Sequence, residues 1–439
     1  MKRMVRLLKL TLAAMLAAAF FAGCGSFTAP EPSPADPAPS GTASENNADH
    51  EANNEPIEEE TPPPAPPLPP PTEATLIAIG DIMMHTPQLP GAYDEESGTY
   101  DFSNFFVQVR SRLTDADWAF ANLETPIAGD ERGFRGYPTF NAPAALADAM
   151  KDAGIDIVST ANNHTLDQGY NGLAHTLETL RERGLAAIGT ADSEEKAEEI
   201  TFIERNGIKT AFLAYTYGTN GIPVPKDKPY AVSLIEDERI IRQIQLAREE
   251  GADVVAVSLH FGNEYQRMPS DEQKRLARLT IESGADLVIG HHPHVVQPYE
   301  LYRVEEDDGR VREGLIMYSL GNFISNQFGD YKEYGAILEV TFRKTYNEDG
   351  TAETKIVSYD AIPTWVHKYV EKGKNRYRVV VLDDLAETGS DVLLSQRMVA
   401  QLIQKSEEMN KHLDQYAVEA GAEPAAPPKS ETGEDNPSY

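Results

Sequence analysis

A chain of 439 residues has room for two average domains, or for one large α/β domain with tails, and 41% hydrophobic with 25% charged residues is the composition of a folded protein. Its 70 acidic residues outnumber 39 basic ones, a net charge of -31, which argues against nucleic acid as a partner because phosphate binding needs clustered Lys and Arg. Cys24 is the single cysteine, so an intrachain disulfide is excluded.

In chain order, "MKRMVRLLKLTLAAMLAAAFFAGC" opens on Lys2, Arg3, Arg6 and Lys9 and continues as an uncharged, mostly apolar run from Leu10 to Gly23. That run is shorter than the ~20 residues a membrane-spanning helix needs. Its layout of basic start, apolar middle and small end is that of a secretory signal. "FAGC" resembles the bacterial lipobox, with Phe21 where Leu is usual. Residues 1–24 are therefore expected to be a lipoprotein signal peptide, with lipid on Cys24 holding the chain to the outer face of the bacterial cell membrane. Residues 25–72 are rich in Pro, Ala, Glu, Ser and Asn and carry no Lys or Arg. They have too little apolar area to fold and are expected to be a disordered linker.

Order begins at "ATLIAIGD". Strand-like apolar runs are Thr75–Ile79, Trp118–Ala121, Ile155–Ser159, Ala186–Ile188, Lys209–Tyr215, Val254–Leu259, Leu287–Ile289 and Leu315–Ser319. Amphipathic helical runs are Ala144–Ala153, Gly172–Arg183, Ile235–Glu250 and Asp271–Ser283. Short apolar strands separated by such helices predict a layered, largely parallel α/β domain over 73–385. "FIERNGIKTAFLAY" predicts a hairpin turning at Asn206-Gly207. "GAILEVTF" and "TKIVSYDAIP" predict antiparallel strands. A C-terminal helix is expected within 386–416, over Asp391–Gln415, and a disordered polar tail over 417–439.

In an open α/β sheet, ligands bind outside the carboxyl ends of the strands. The chain places polar groups there repeatedly: Asp81 and His85 in "GDIMMH", Asn122 and Glu124 in "ANLETP", Asn162, Asn163, His164 and Asp167 in "STANNHTLDQG", His260 and Glu264 in "SLHFGNEY", His291, His292 and His294 in "GHHPH", and Asn322 in "SLGNF". Six of the 10 histidines fall in these clusters. If the strands lie side by side, the clusters meet along one edge. Imidazole, carboxylate and carboxamide donors together suit Zn, Mn or Fe, and a carboxylate able to bridge suits two ions. Between the second and third clusters, "GDERGFRGYPTFNAP" supplies Arg132 and Arg135, the only nearby forks for a carboxylate or phosphate. His175 and His367 stand alone and are read as ordinary loop or packing residues.

The clusters, in this order, resemble the CapA family of poly-gamma-glutamate capsule synthesis, whose fold is that of the calcineurin-like metallophosphoesterases. The resemblance runs from about Ala74 to Asn326 and rests on "GDIMMH", "ANLETPI", "GYPTFNAP", "STANNHTLDQG", "HFGNEY", "GADLVIGHHPHVVQP" and "YSLGNF". It implies a metallophosphoesterase-like sheet sandwich flanked by helices, and a ligand set of Asp81, His85, Glu124, Asn163, His260, His292 and His294 for divalent ions, two in number (Mn, Zn or Fe). The chain departs from the family pattern in three places. Asp81 and His85 are spaced more widely than Asp-x-His, Glu124 stands nearest to a bridging Asp, and Gly290 precedes His291 while the His-x-His spacing is His292 and His294. His291 is then a packing residue behind the ligands. His164 would be general acid or oxyanion stabiliser and, with Asp167, a catalytic residue. Asn122, Arg135 and Asn322 are the substrate-binding candidates.

Two functions follow. One is a cell-surface metal-dependent hydrolase or transferase acting on a phosphoryl or gamma-glutamyl bond. The other is a non-catalytic, membrane-anchored accessory that binds anionic polyglutamate or its membrane synthase.

Overall fold

The computed structural model describes residues 67–306 and 309–416. The expected signal peptide, the lipidation site Cys24, nearly all of the linker and the tail lie outside the described residues.

β1 (Thr72–Ile82) leads to a small hairpin of β2 (Tyr93–Asp94) and β3 (Thr99–Tyr100). β4 (Trp118–Leu123), β5 (Ile157–Ser159) and β6 (Ala186–Ile188) follow, separated by helices. Next come β7 (Thr201–Arg205), β8 (Ile208–Thr216), β9 (Val254–His260) and β10 (Leu287–His291). The chain then runs through β11 (Val296–Glu305), β12 (Val311–Leu320), β13 (Asn322–Ile324), β14 (Tyr334–Tyr346), β15 (Ala352–Glu371) and β16 (Lys374–Val381).

These strands form two large sheets. One has the order β16-β15-β14-β1-β4-β5-β6, with β13 pairing β1 off the path. The other has the order β11-β12-β10-β9-β8-β7. β1, β4, β5 and β6 are mutually parallel, as are β8, β9, β10 and β12. The antiparallel strands sit at the margins, and β7 and β8 make the hairpin expected at Asn206-Gly207.

The sheets pack face to face. Leu76, Ala78, Trp118 and Phe120 of the first share one core with Phe212, Ala256, Ile289, Leu315 and Met317 of the second. The opposite face of the first sheet, with Ile77, Ile79, Ala119 and Ala121, packs on the helices Arg110–Asp115 and Ala145–Asp152. That of the second, with Val255, Val257 and Val288, packs on the helices Asp237–Glu249 and Asp271–Glu282. The result is a helix–sheet–sheet–helix sandwich. Burial on both faces explains why the strand runs are continuously apolar instead of alternating. Burying one large aliphatic side chain contributes about 1.5–3 kcal/mol, more than the whole ~1 kcal/mol span of strand propensity. Packing therefore makes the alanine-containing "WAFANL" a strand.

Three sequence expectations change. The polar clusters do not meet along one edge of one sheet, because their strands are divided between two. The C-terminal segment holds two helices, Leu382–Thr388 and Gln396–Leu413, so the expected boundary at 385/386 falls inside the first. The second starts later than Asp391 because Ser395 caps it, its hydroxyl accepting from Met398 N at 3.2 Å. Among the described residues, no helix is long and apolar enough to cross a membrane.

Candidate metal centre

The strand register starts the site. Asp81 of β1 is opposite Asn122 of β4 and Asn322 of β13. His260 of β9 is opposite His291 of β10. The carboxyl ends of both parallel sets lie at the same end of the sandwich, so donors from two sheets face each other. Asp81 sits just after an irregularity in β1, where its N–H donates to Gly321 O at 2.9 Å.

Carboxamides tie the loops of the first sheet together. Asn122 Nδ2 donates to Asp81 Oδ1 at 2.9 Å and approaches Glu124 Oε2 at 3.4 Å. Asn162 Nδ2 donates to Leu123 O at 2.8 Å, and Asn162 Oδ1 accepts from His164 N at 3.2 Å. Asn163 Oδ1 lies 2.9 Å from His260 Nε2 in the other sheet, and Asn163 Nδ2 donates to Asn220 Oδ1 at 3.1 Å. His164 Nδ1 is 2.8 Å from Asp167 Oδ2, which also accepts Phe140 N at 2.8 Å.

His260, His291, His292 and His294 come from the second sheet and the loop at its end. His291 Nδ1 and His294 Nδ1 each lie 3.2 Å from Asp81, one on each carboxylate oxygen. His292 and His294 have φ of 99° and 58°. Such conformations cost non-glycine residues about 1–3 kcal/mol each and cluster where function demands them. Tyr217 packs against His292, ring centroids 4.6 Å apart, and His292 packs against His260 at 4.9 Å.

The two central carboxylates are fully buried and shifted in opposite directions. Burial acts to raise Asp81, but hydrogen bonds from His291 and His294 outweigh it and hold Asp81 well below the usual range. Burial raises Glu124 far above the usual range, and the Asp81 charge adds to the effect. Burial lowers His260 well below its ordinary value, and lowers His292 to about 3 and His85 to about 4.

Three donor sets lie within 4.8 Å: Glu124 with His260 and His292, Asp81 with Glu124 and His294, and Glu264 with His292 and His294. Glu124 Oε1, His291 Nε2 and His292 Nδ1 are buried with no hydrogen-bond partner. Glu124 Oε1 faces His260 Nε2 at 3.6 Å and His294 Nε2 at 3.7 Å, beyond hydrogen-bond reach. Each such orphaned group costs about 1–3 kcal/mol. A divalent cation among these donors would remove that cost for Glu124 Oε1 and His292 Nδ1, leaving His291 Nε2 unrelieved, and the donor types fit Zn, Mn or Fe.

Nine of the residues singled out in the sequence are drawn together: Asp81, Asn122, Glu124, Asn163, His164, Asp167, His260, His292 and His294. His85 stays at the margin, its Nδ1 accepting from Asn326 N at 3.3 Å and its ring edge-on to Phe140. Arg135 does not aim its fork at the donors. It is exposed, and its guanidinium donates to the Arg132 carbonyl of its own loop. Asn322 is committed elsewhere through its amide nitrogen, while its Oδ1 is buried with no hydrogen-bond partner. Its Nδ2 is close to His294 O (3.2 Å), Gln327 Oε1 (3.0 Å) and Lys332 O (2.9 Å), so it fastens the His294 backbone. Tyr217 and Asn220 were not anticipated. They follow β8, a strand end that carries neither imidazole nor carboxylate.

Residues 75–327 match the family model described as bacterial capsule synthesis protein PGA_cap. The chain is 30% identical over 293 residues to the capsule biosynthesis protein CapA of Bacillus anthracis, covering 64% of this chain and 66% of that one. That is just under two thirds of the relative's length. It is 30% identical over 311 residues to the PGA biosynthesis protein CapA of Bacillus subtilis, covering 70% of this chain and 77% of that one. Among solved structures it is similar to the calcineurin-like phosphoesterase YfkN of Bacillus subtilis, with TM-score 0.39 and 14% identity over 78% of this chain and 98% of that one. It is also similar to the NAD nucleotidase NadN of Haemophilus influenzae, with TM-score 0.41 and 12% identity over 79% of this chain and 61% of that one.

Proposed function

The chain belongs to the bacterial capsule synthesis protein family PGA_cap, and from that premise we propose that it takes part in poly-gamma-glutamate synthesis or export as a lipid-anchored, extracytoplasmic, metal-dependent hydrolase. Both named relatives are capsule or PGA biosynthesis proteins. The observation that carries the catalytic half is the buried, unpartnered Glu124 Oε1 facing two imidazole nitrogens.

In this reading Asp81, Glu124, Asn163, His260, His292 and His294 hold two divalent ions. Bound ions supply charge to fix an anionic group of the substrate and lower the pKa of a water molecule. Asn122 holds Asp81 in place through its 2.9 Å hydrogen bond. His291 does the same from the other side. Asp167 fixes the ring of His164 through Nδ1, which leaves Nε2 as the atom that passes a proton to the departing oxygen. His164 then regains a proton from solvent. Phe140, edge-on to His164 at 4.7 Å, shields one flank of the ring from water.

The test uses the full chain, purified in detergent and loaded with Mn, with an aryl phosphodiester as substrate. His164→Ala is expected to lower turnover by about 10²–10⁴-fold while retaining its metal. Absence of both bound metal and hydrolysis in the wild-type chain would leave a non-catalytic accessory of a polymer synthase. The anchor is tested separately: Cys24→Ser is expected to move the chain from the membrane pellet to the soluble fraction.

A further inference from the structure

One carboxylate beside the centre has no role in the reading above. Glu264 is exposed, on the loop after β9, yet one of its oxygens lies within 4.8 Å of ring nitrogens of both His292 and His294. The loop is tied to the histidine segment by two backbone hydrogen bonds, Phe261 N to His291 O at 3.1 Å and Tyr265 N to Pro293 O at 2.8 Å. Glu264 is the residue just before the second tie. Tyr265, with φ of 65°, turns the chain there. The backbone of Glu264 is therefore fixed beside the imidazoles, within side-chain reach of both.

A second observation points the same way. His292 is only 4% exposed, and its Nδ1 has no hydrogen-bond partner. Charge balance adds a third argument. Asp81 and Glu124 are the only carboxylates among the ligands named above, so two divalent ions would leave a positive excess at a site sealed on its inner side. A third carboxylate offsets part of it.

We propose that Glu264 is a further metal ligand, a hard oxygen donor that closes the solvent side of the ion held by His292 and His294. This rests on the metal-centre reading above. Because it is the one exposed donor of its set, Glu264 is also the ligand that an incoming anion meets first.

Mn binding to the full chain is measured by calorimetric titration, with the Mn electron-paramagnetic spectrum as a second readout. The variants are Glu264→Gln, Glu264→Ala and a control, Glu313→Gln. Glu313 is exposed near the start of β12, paired with Arg303, and its substitution removes the same charge at the other end of the strand. Both Glu264 variants are expected to bind one Mn about 10–100-fold more weakly with an altered spectrum, and Glu313→Gln to bind as wild type. Wild-type Mn affinity and spectrum in both Glu264 variants would overturn the assignment and leave the metal centre standing. A wild-type chain that binds no Mn, Zn or Fe(II) would overturn both.

Discussion

Asp81 and Glu124 share one pocket, both fully buried, and their surroundings divide them. Asp81 is within reach of Asn122, His291 and His294, whereas Glu124 keeps one oxygen with no partner at all. Hydrogen bonds to the charged form favour it, and burial without them favours the neutral acid. Hence Asp81 is held in its ionised form, and Glu124, its pKa raised by burial and by the Asp81 charge, is shifted towards the neutral acid in the metal-free protein. His260 and His292 are shifted the other way and are already neutral at pH 7. Metal ligands must be deprotonated. Mn loading is therefore expected to release a proton from Glu124, the more so as pH falls, and none from these two imidazoles at pH 7. Titration calorimetry in buffers of different ionisation enthalpy measures that release, and Glu124→Gln is expected to abolish it. Equal release by wild type and variant would contradict the assignment. The stability signs follow from the same shifts. Glu124 stabilises the metal-free fold at low pH, and that contribution fades as pH rises through its folded pKa. The contributions of His85 and His292 are present above about pH 6.5 and are lost as pH falls towards about 4 and about 3.

Elements place these side chains only because strands approach closely where glycine allows it. A Cβ on Gly80 would stand 2.0 Å from Gly321 O, in the turn between β12 and β13. Gly80→Ala must push β1 away from that turn, and Asp81 is the next residue. Overpacking of this kind costs about 1–3 kcal/mol. The variant is expected to melt lower and to bind Mn more weakly, in contrast to Glu313→Gln; unchanged Mn affinity would show that Asp81 does not depend on this contact. The strands themselves were largely legible in the sequence: Ala186–Ile188 keeps its bounds, and Lys209–Tyr215 grows by one residue at each end. Their division between two sheets was not. Leu76 and Ala78 face one core while Ile77 and Ile79 face another, and a run apolar on both sides does not record which neighbour it pairs with. β11 was hidden by Pro298 and by its half-buried far half, which carries Glu300, Arg303 and Glu305, and β13 by its three-residue length. In the site, histidines and carboxylates at strand ends were visible because few other residue types do that chemistry. Arg135 misled because a sequence does not record which carbonyl captures a guanidinium, and Tyr217 and Asn220 were missed because tyrosine and asparagine are ordinary loop residues.

For the whole molecule, the position of the donors matters more than their number. Asp81, Glu124 and Asn163 belong to the first sheet or the loops at its end, and His260, His292 and His294 to the second. An ion shared by these groups would link two sheets otherwise joined mainly by side-chain packing, and it would bind only when both are in place. Its binding energy is then stability of the entire sandwich. At a free concentration 100 times the dissociation constant this amounts to about 2.7 kcal/mol, a rise in melting temperature on the order of 5 °C for a domain of this size. Mn is expected to raise the single melting transition by that order, and a chelator to reverse the gain. A chain with Asp81→Asn and Glu124→Gln together should lose most of the metal response, since the two anionic donors are gone while the imidazoles remain. Its metal-free melting temperature should fall less than that of Gly80→Ala, because amides of nearly the same shape replace the carboxylates without moving a strand. If wild type melts at the same temperature with Mn, Zn, Fe(II) or chelator, no ion joins the sheets, and the unpartnered groups at their meeting point need another explanation.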